Sequence, residues 1–376
     1  MISSHGCGWR ESLSLPTSLS TTLSFTGSRF RLMKLKLRHI VLFILVAFVL
    51  AARFFVQIGE WYSVVLYPLI SAALSWLVSW IPFSLEEIVV MGAVLSLILI
   101  IIVGIRRRNG FKTIFFRTCE ILLWIYVWFY IGWGCNYYRE NIYMRSGVER
   151  QAYDEVVFKD FITDYADSLN ASFEYFPTGD LYVSNDEIVT EVKDKYASLS
   201  EVCGLSEPLS WHYPKRLLFN GLYSSVGVMG FVGPFFCESQ INHDLLPAQV
   251  PFVYAHEYSH LLSVSSEDEA NYWGYVVCIS SDVPEIKFSG YFSLLPYVLV
   301  NASRVLSEDE YRNFLKQIRP EILEQYSAQR DFWNAKYSKT IGKIQSLIYN
   351  AFLKGNKVSS GTASYLEVID MIISFR

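Results

Sequence analysis

The 376-residue sequence predicts a mainly α protein with a small β component, in which a membrane part precedes one large domain. Three observations predict this. Composition is 52% hydrophobic with positive mean hydropathy, and long uncharged apolar runs fall within the first third of the chain. Beyond residue 134, apolar residues recur at helical spacing in charged segments. The one stretch dense in Gly, Val, Phe and Ser, residues 217–236, reads as short strand and loop.

In chain order, residues 1–39 read as a disordered cytoplasmic N-terminus rich in Ser, Thr and Leu. Met33, followed by Lys34-Leu35-Lys36-Leu37-Arg38, has the look of a natural membrane-protein start. No small-residue cleavage site follows, so the first span is expected to remain as an anchor. Three transmembrane helices are expected, at about 40–58, 88–105 and 114–134. Arg53 sits near the outer end of the first, where it can snorkel. Arg117 and Glu120 read as a pair near one end of the third, whose other end is rich in Trp and Tyr.

Residues 61–85 carry no charge and are long enough to span, but contain Pro68, Pro82 and five serines. Charge placement decides the reading. Basic clusters lie at Arg29–Arg38 and at Arg106–Arg117. Three spans put both in the cytoplasm and leave Glu60, Glu86 and Glu87 outside. Residues 61–85 are therefore expected to lie at the outer interface, and 135–376 to be extracytoplasmic on the inner (cytoplasmic) membrane.

Within the large domain, 154–172 and 186–198 read as amphipathic helices, 247–264 as an apolar helix and 267–280 as another. Residues 306–349 are mostly helical with a break at Pro320, and 331–352 alone supports one long amphipathic helix. The 217–236 stretch is either an edge strand that pairs with an extended peptide or a turn-rich connector.

The chemistry concentrates at His256-Glu257-Tyr258-Ser259-His260. Residues i and i+4 lie one turn apart on one helix face, so both imidazoles can reach one metal ion, here Zn2+. Glu257 beside them can take a proton from water at the metal. The competing reading is two surface histidines on a polar helix. It fits poorly, because the chain has only six His and the motif's flanks, Pro251–Ala255 and Leu261-Leu262, are apolar.

A third ligand is needed. Glu267 opens the next helix and can fold back on the metal; Glu269 and then Asp268 are the alternatives. Ser266 and Glu269 also have capping-box spacing, and acidic residues favour any helix N-terminus. Tyr291 is the candidate donor to a developing oxyanion, with His212 and His243 behind it. Asp244 is a candidate cap for the motif helix, and Glu238 and Asn242 are candidate cleft residues. Cys203, Cys237 and Cys278 allow at most one disulfide, and no CxxC is present. A net charge of −4 without a basic domain argues against nucleic-acid binding.

Glu267-Asp268-Glu269-Ala270-Asn271 resembles the second motif of gluzincin-type metallopeptidases. That resemblance implies Glu267 as ligand and Asn271 as support for a metal-bound His. The gap from His260 to Glu267 is shorter than in the best-known gluzincins. A longer resemblance, over about 40–376, is to the DUF3810 family of Bacteroidetes-type membrane proteins, which look like zinc peptidases. It rests on Pro251-Phe252, the His256–His260 motif, Glu267–Asn271, Tyr275, Cys278 and Ser289-Gly290-Tyr291, with Pro82–Leu85 and Asn136–Arg139 upstream. Leu261 departs from the Gln usual there. The resemblance implies a zincin-like metallopeptidase domain acting on a peptide or protein substrate in the cell envelope, anchored in the lipid bilayer. The alternative is a non-catalytic envelope sensor or assembly protein with a structural or vestigial zinc site. Glu257 separates the two, since a structural site needs no neighbouring base.

Overall fold

The computed structural model describes residues 36–151, 154–173, 183–356 and 367–376. The expected disordered N-terminus, including Met33, falls outside the described residues up to residue 35. The described chain is mainly helical, with one small sheet.

Among the described residues, four helices are long and apolar enough to cross a membrane: α1 (Leu37–Phe54), α2 (Val56–Val78), α3 (Leu85–Arg106) and α4 (Phe111–Gly132). The sequence expected three spans and an interfacial 61–85; α2 has the length and apolarity of a fourth, as its lack of charge already allowed. Pro68 does not break α2, because the preceding turn, Tyr62–Leu66, is a π-helical bulge. Pro68 then stands in the first turn of the α-helical part, where its missing N–H costs little.

α2 differs from the other three in its surroundings. A third of it (33%) is buried inside the protein, against 6–17% for the others. Glu60, Ser63, Tyr67, Ser71 and Ser75 share one face by helical spacing. Along that face Glu60 pairs with Arg139 at 2.8 Å, Ser63 bonds Asn136, Tyr67 donates to the Leu261 carbonyl at 2.9 Å, and Trp211 donates to Ser75. Trp61, Leu69, Trp76 and Trp80 on α2 and just beyond it are exposed. The serines that looked like interruptions are the polar seam between α2 and the large domain.

At their basic ends α1 and α4 are joined by Arg38 and Glu120, 2.8 Å apart. Glu120 thus pairs across helices rather than with Arg117, as its spacing had suggested. Gly104 of α3 lies against Ile114 of α4, and a Cβ there would come within 2.6 Å of that side chain. The start of α3 is stitched to the large domain: Glu87 accepts from the Leu218 and Phe219 N–H groups, and Glu86 from that of Phe235.

A 3-10 turn (Gly134–Tyr138) leads into α5 (Ile142–Ser146), α6 (Glu155–Phe173) and α7 (Asn185–Cys203). Strand β1 (Lys215–Arg216), α8 (Asn220–Ser225), β2 (Gly230–Gly233) and β3 (Glu238–Ile241) follow. The sheet order is β1-β3-β2, with β1 parallel and β2 antiparallel to β3. Phe83 bridges to Arg216 and covers the β1 side, which leaves the outer edge of β2 open within the sheet.

The core is built around α9 (Val250–Leu261), α10 (Glu267–Ile279) and α11 (Pro284–Val305), with α10 packed against both others. Tyr196, Tyr254, Tyr258, Phe288 and Phe292 are among its largest fully buried side chains. Next come α12 (Glu308–Gln317), α13 (Pro320–Lys336), α14 (Lys339–Gly355) and α15 (Val368–Ser374). The single helix expected over 331–352 is two helices. Ser338 breaks it, giving its N–H to the Ser225 carbonyl and its hydroxyl to capping Ile341. Cys237 and Cys278 are buried free thiols, so no disulfide joins two of the three outer-domain cysteines.

Candidate metal centre

Helix α9 is buried around nearly its whole circumference, so its polar side chains must find partners inside the protein. Its first turn is anchored by the Phe252 N–H donating to Ser289 Oγ at 3.1 Å. On the other side, the Tyr196 hydroxyl donates to the Ala255 carbonyl at 2.8 Å. His256 and His260 follow one turn apart, ring centroids 5.0 Å from each other.

Between α9 and α10 the chain reverses through Ser263, whose φ of +78° lies in the left-handed region that costs a non-glycine residue energy. Arg139 holds that residue, donating from Nη1 to Ser263 Oγ at 2.6 Å while Nη2 pairs with Glu60 at 2.8 Å. The reversal delivers Glu267 as the first residue of α10. Its Oε2 lies 3.2 Å from His256 Nε2 and 3.7 Å from His260 Nε2. Donor atoms of His256, His260 and Glu267 all fall within 4.8 Å of one another.

Two imidazole nitrogens and one carboxylate oxygen, from a half-buried His256 and a buried His260 and Glu267, are a donor set that suits a divalent metal ion. Tautomer supports this use. His260 Nδ1 lies 2.8 Å from the Val264 carbonyl, so the proton sits on Nδ1 and Nε2 is left facing the cluster. His260 and Glu267 lie close enough to interact as an ion pair. Burial opposes charging of His260, but its bond to Glu267 wins and pushes its pKa up to about 9. Burial works against the Glu267 carboxylate too, yet the hydrogen bonds from His256 and His260 hold it well below its usual range.

Glu257 points to the same cleft. Burial raises its pKa to about 7, with the two histidines pulling it down and Glu267 pushing it up. The Gly230 backbone lies hard against it: a Cβ on Gly230 would meet Glu257 Cγ at 2.7 Å and Oε1 at 2.8 Å. A side chain at 230 would therefore displace either the carboxylate or the strand.

The cleft has a volume of about 470 Å3. One wall is His256, Glu257, His260 and Glu267, and the facing one runs from Val226 along β2. Phe129 and Trp133, at the end of α4, close one side, and Gln345, Tyr349 and Phe352 of α14 another. Trp133 Nε1 donates to the His260 carbonyl at 2.8 Å, tying the end of an apolar helix to the motif.

The other sequence candidates separate clearly. Glu269 is not in the cluster: it is buried against Arg145 and also accepts from Trp273 Nε1 at 3.1 Å. It therefore makes no capping box with Ser266, whose side chain makes no cap bond. Asp268 is likewise outside the cluster, its pKa lifted to about 6 chiefly by burial. Asn271 lines the cleft with its Nδ2 unpartnered and makes no hydrogen bond to either histidine.

Tyr291 is a correction. It lines a different cavity, with Tyr165 and Tyr275, and its carbonyl accepts from Tyr165. The Ser289-Gly290-Tyr291 motif has a packing role instead. Ser289 receives the α9 N–H, and Gly290 lets α11 approach α10, where a Cβ would lie 2.7 Å from that of Cys278. His212 is buried on Ser75, and His243 lines a third cavity. Asp244 pairs with Ser224 and Lys336 rather than capping α9. Glu238 is committed to Lys215 at 2.5 Å, and Asn242 to Ser224 and the Val228 carbonyl.

The tyrosines that do reach the cleft are Tyr137, Tyr297 and Tyr349, and Tyr349 donates to Glu267 Oε1 at 2.6 Å. Tyr137 belongs to the Asn136–Arg139 run singled out in the sequence, but no local motif marks Tyr297 or Tyr349. Their only signal would have been a tertiary one, the docking of α11 and α14 beside α9.

No curated protein and no solved structure matches the chain. A family model does, that of a protein family of unknown function, DUF3810, over residues 62–373. This match spans well over half the chain and takes in α2, the sheet and both helices of the cluster, so the chain belongs to the DUF3810 family.

Proposed function

We propose that this protein is a membrane-anchored zinc peptidase with a zincin-like domain. The observation that carries the reading is the convergence of His256, His260 and Glu267 beside Glu257, facing an open strand edge. His256, His260 and Glu267 would hold the ion, three protein donors being the usual number for a catalytic zinc. The chemistry a bound Zn2+ supplies here is Lewis-acid polarisation of a carbonyl and acidification of water.

The protein's own residues account for the rest. Glu257, lining the cleft beside the three candidate ligands, accepts a proton from water and returns it to the leaving amine. The open edge of β2 pairs with an extended peptide by main-chain hydrogen bonds, which presents a scissile bond to the cluster. Tyr349 orients the Glu267 carboxylate through its second oxygen. Tyr297, which lines the cleft where Tyr291 does not, is our candidate for the group that faces a reacting carbonyl.

The topology we favour keeps three spans, α1, α3 and α4, and lays α2 along the outer face. In support, the ends of α1, α3 and α4 at Phe54, Leu85 and Gly132 adjoin the large domain, whereas Arg38 and Arg106 lie at their other ends. The positive-inside tendency then puts the domain on the extracytoplasmic side of the cytoplasmic membrane. The cleft, bordered by Phe129 and Trp133, opens close to the bilayer. A peptide or protein segment of the cell envelope is the substrate class this geometry suits.

The test is zinc content and peptide cleavage by the full-length protein, wild type beside Glu267→Ala and Glu257→Gln. The reading expects about one zinc per chain in wild type and in Glu257→Gln, a large loss in Glu267→Ala, and cleavage by wild type alone. Zinc without cleavage across a broad peptide library would favour the non-catalytic envelope protein. No zinc after metal-replete purification would remove the metal centre.

A further inference from the structure

Helix α14 presents a face that the cleft does not use. Tyr349 and Phe352 turn inward, but Ile341, Ile344, Leu347 and Ile348 are 45–66% exposed. They recur three and four residues apart and so form one stripe along the helix. Lys339, Lys343 and Lys354 are exposed too. An apolar stripe accompanied by lysines is the composition of a helix lying in a membrane surface.

The position of α14 supports the same partner. Phe352 packs edge-on against Phe129 of α4, ring centroids 5.8 Å apart. Just beyond, the Gly355 carbonyl accepts from Arg53 at the end of α1 at 2.9 Å, and Asn356 accepts from Tyr130 of α4 at 2.6 Å. The C-terminal end of α14 is thus fastened where two apolar helices leave the proposed bilayer. The exposed stripe continues that surface. Its lysines suit anionic headgroups.

We propose that α14 is seated in the lipid surface by Ile341, Ile344, Leu347 and Ile348, and that this seating holds Tyr349 on Glu267. The wall of the candidate metal centre is then complete only at a membrane. The seating rests on the membrane reading; the coupling also rests on the metal centre.

The experiment uses the full chain, one copy per nanodisc of phosphatidylcholine and phosphatidylglycerol, so that a second copy cannot cover the stripe. An encoded fluorescent amino acid is placed at position 344, 347 or, as a control, 316 on α12, an exposed lysine. Nitroxide lipids labelled high on the acyl chain should quench at 344 and 347 and not at 316. Equal quenching at all three positions overturns the seating.

In the same discs, Ile344→Glu/Leu347→Glu should lose zinc to a chelator about ten-fold more readily than wild type, the size typical of a lost supporting contact. Tyr349→Phe should reproduce that loss without reducing quenching at 344. Unchanged retention in the double variant overturns the coupling. A wild type that binds no zinc removes the coupling together with the metal centre, while the quenching pattern still decides the seating.

Discussion

The two helical walls of the cleft are held in opposite ways. The α9–α10 wall is buried, and its turn and second helix are fixed by two internal ion pairs, Arg139 with Glu60 and Arg145 with Glu269. The α14 wall is half open to its surroundings and reaches the cluster through one hydroxyl, that of Tyr349. His256, Glu257, His260 and Glu267 stand on the buried wall, and Tyr349 stands on the wall whose other face is exposed. The difference predicts a steep order of mutational effects.

The largest should come from Arg145→Met. It leaves the buried Glu269 without its cationic partner and with only the Trp273 N–H, at a cost of about 3–5 kcal/mol typical of such breaks. Because Glu269 lies two residues from Glu267, zinc binding should fall with stability. Denaturant unfolding and metal content, measured on the same preparation, check this. A variant as stable as wild type would mean that the rigid wall does not depend on this pair.

Next comes a pH effect on the seam that ties α2 to the same wall. His212 bonds Ser75, stacks edge-on to Tyr258, and its pKa is depressed to about 3 by burial, with the Lys193 ammonium adding to it. The unfolded imidazole takes up a proton near 6.5 and the folded one does not until about 3. The contribution is therefore full above 6.5 and is lost as pH falls through that window, by at most ~1.4 kcal/mol per pH unit. Unfolding at pH 7.5 and 5.5 should show a larger drop in wild type than in His212→Gln. Equal drops would place the histidine in a solvated site.

Gly230→Ala probes the sheet side of the rigid wall. Its Cβ would also lie 2.9 Å from the Gln240 carbonyl, so the strand cannot simply shift toward β3. Overpacking of this kind costs about 1–3 kcal/mol. Cleavage should fall further than stability does, because the displaced group is the proposed base. A variant that keeps full turnover would show that Glu257 has room to move.

What was legible in the sequence follows the same division. The rigid wall is written locally. His256, Glu257, His260 and Glu267 lie within one helix, one turn and the next residue, and short-range geometry was enough to expect Glu267 beside the two histidines, where the structure has it. Glu269, the second choice, is held away from them by Arg145, which approaches from α5 and which no local pattern announces. Tyr291 was chosen for its place in a motif, but that motif's Ser and Gly serve helix packing. Tyr297 and Tyr349 come from helices that meet α9 only after the chain has folded. The role of two serines of α2 was hidden for a related reason, since Ser63 and Ser75 meet partners 73–137 residues away.

The smallest effect should belong to the open wall. Tyr349→Phe removes one hydrogen bond to a carboxylate at the cleft rim, so its stability cost should be only about 0.5–1.5 kcal/mol. Its effect on the metal should be out of proportion to that cost. Glu267 would keep Oε2 toward the histidines but lose the partner that fixes Oε1, and supporting contacts of this type are worth about 10–100-fold in metal affinity. Paired measurements of unfolding and zinc affinity should therefore separate the two walls: Arg145→Met lowers both, Tyr349→Phe chiefly the second. If Tyr349→Phe instead destabilises the fold as much as Arg145→Met, α14 belongs to the rigid core and the contrast between the walls is lost.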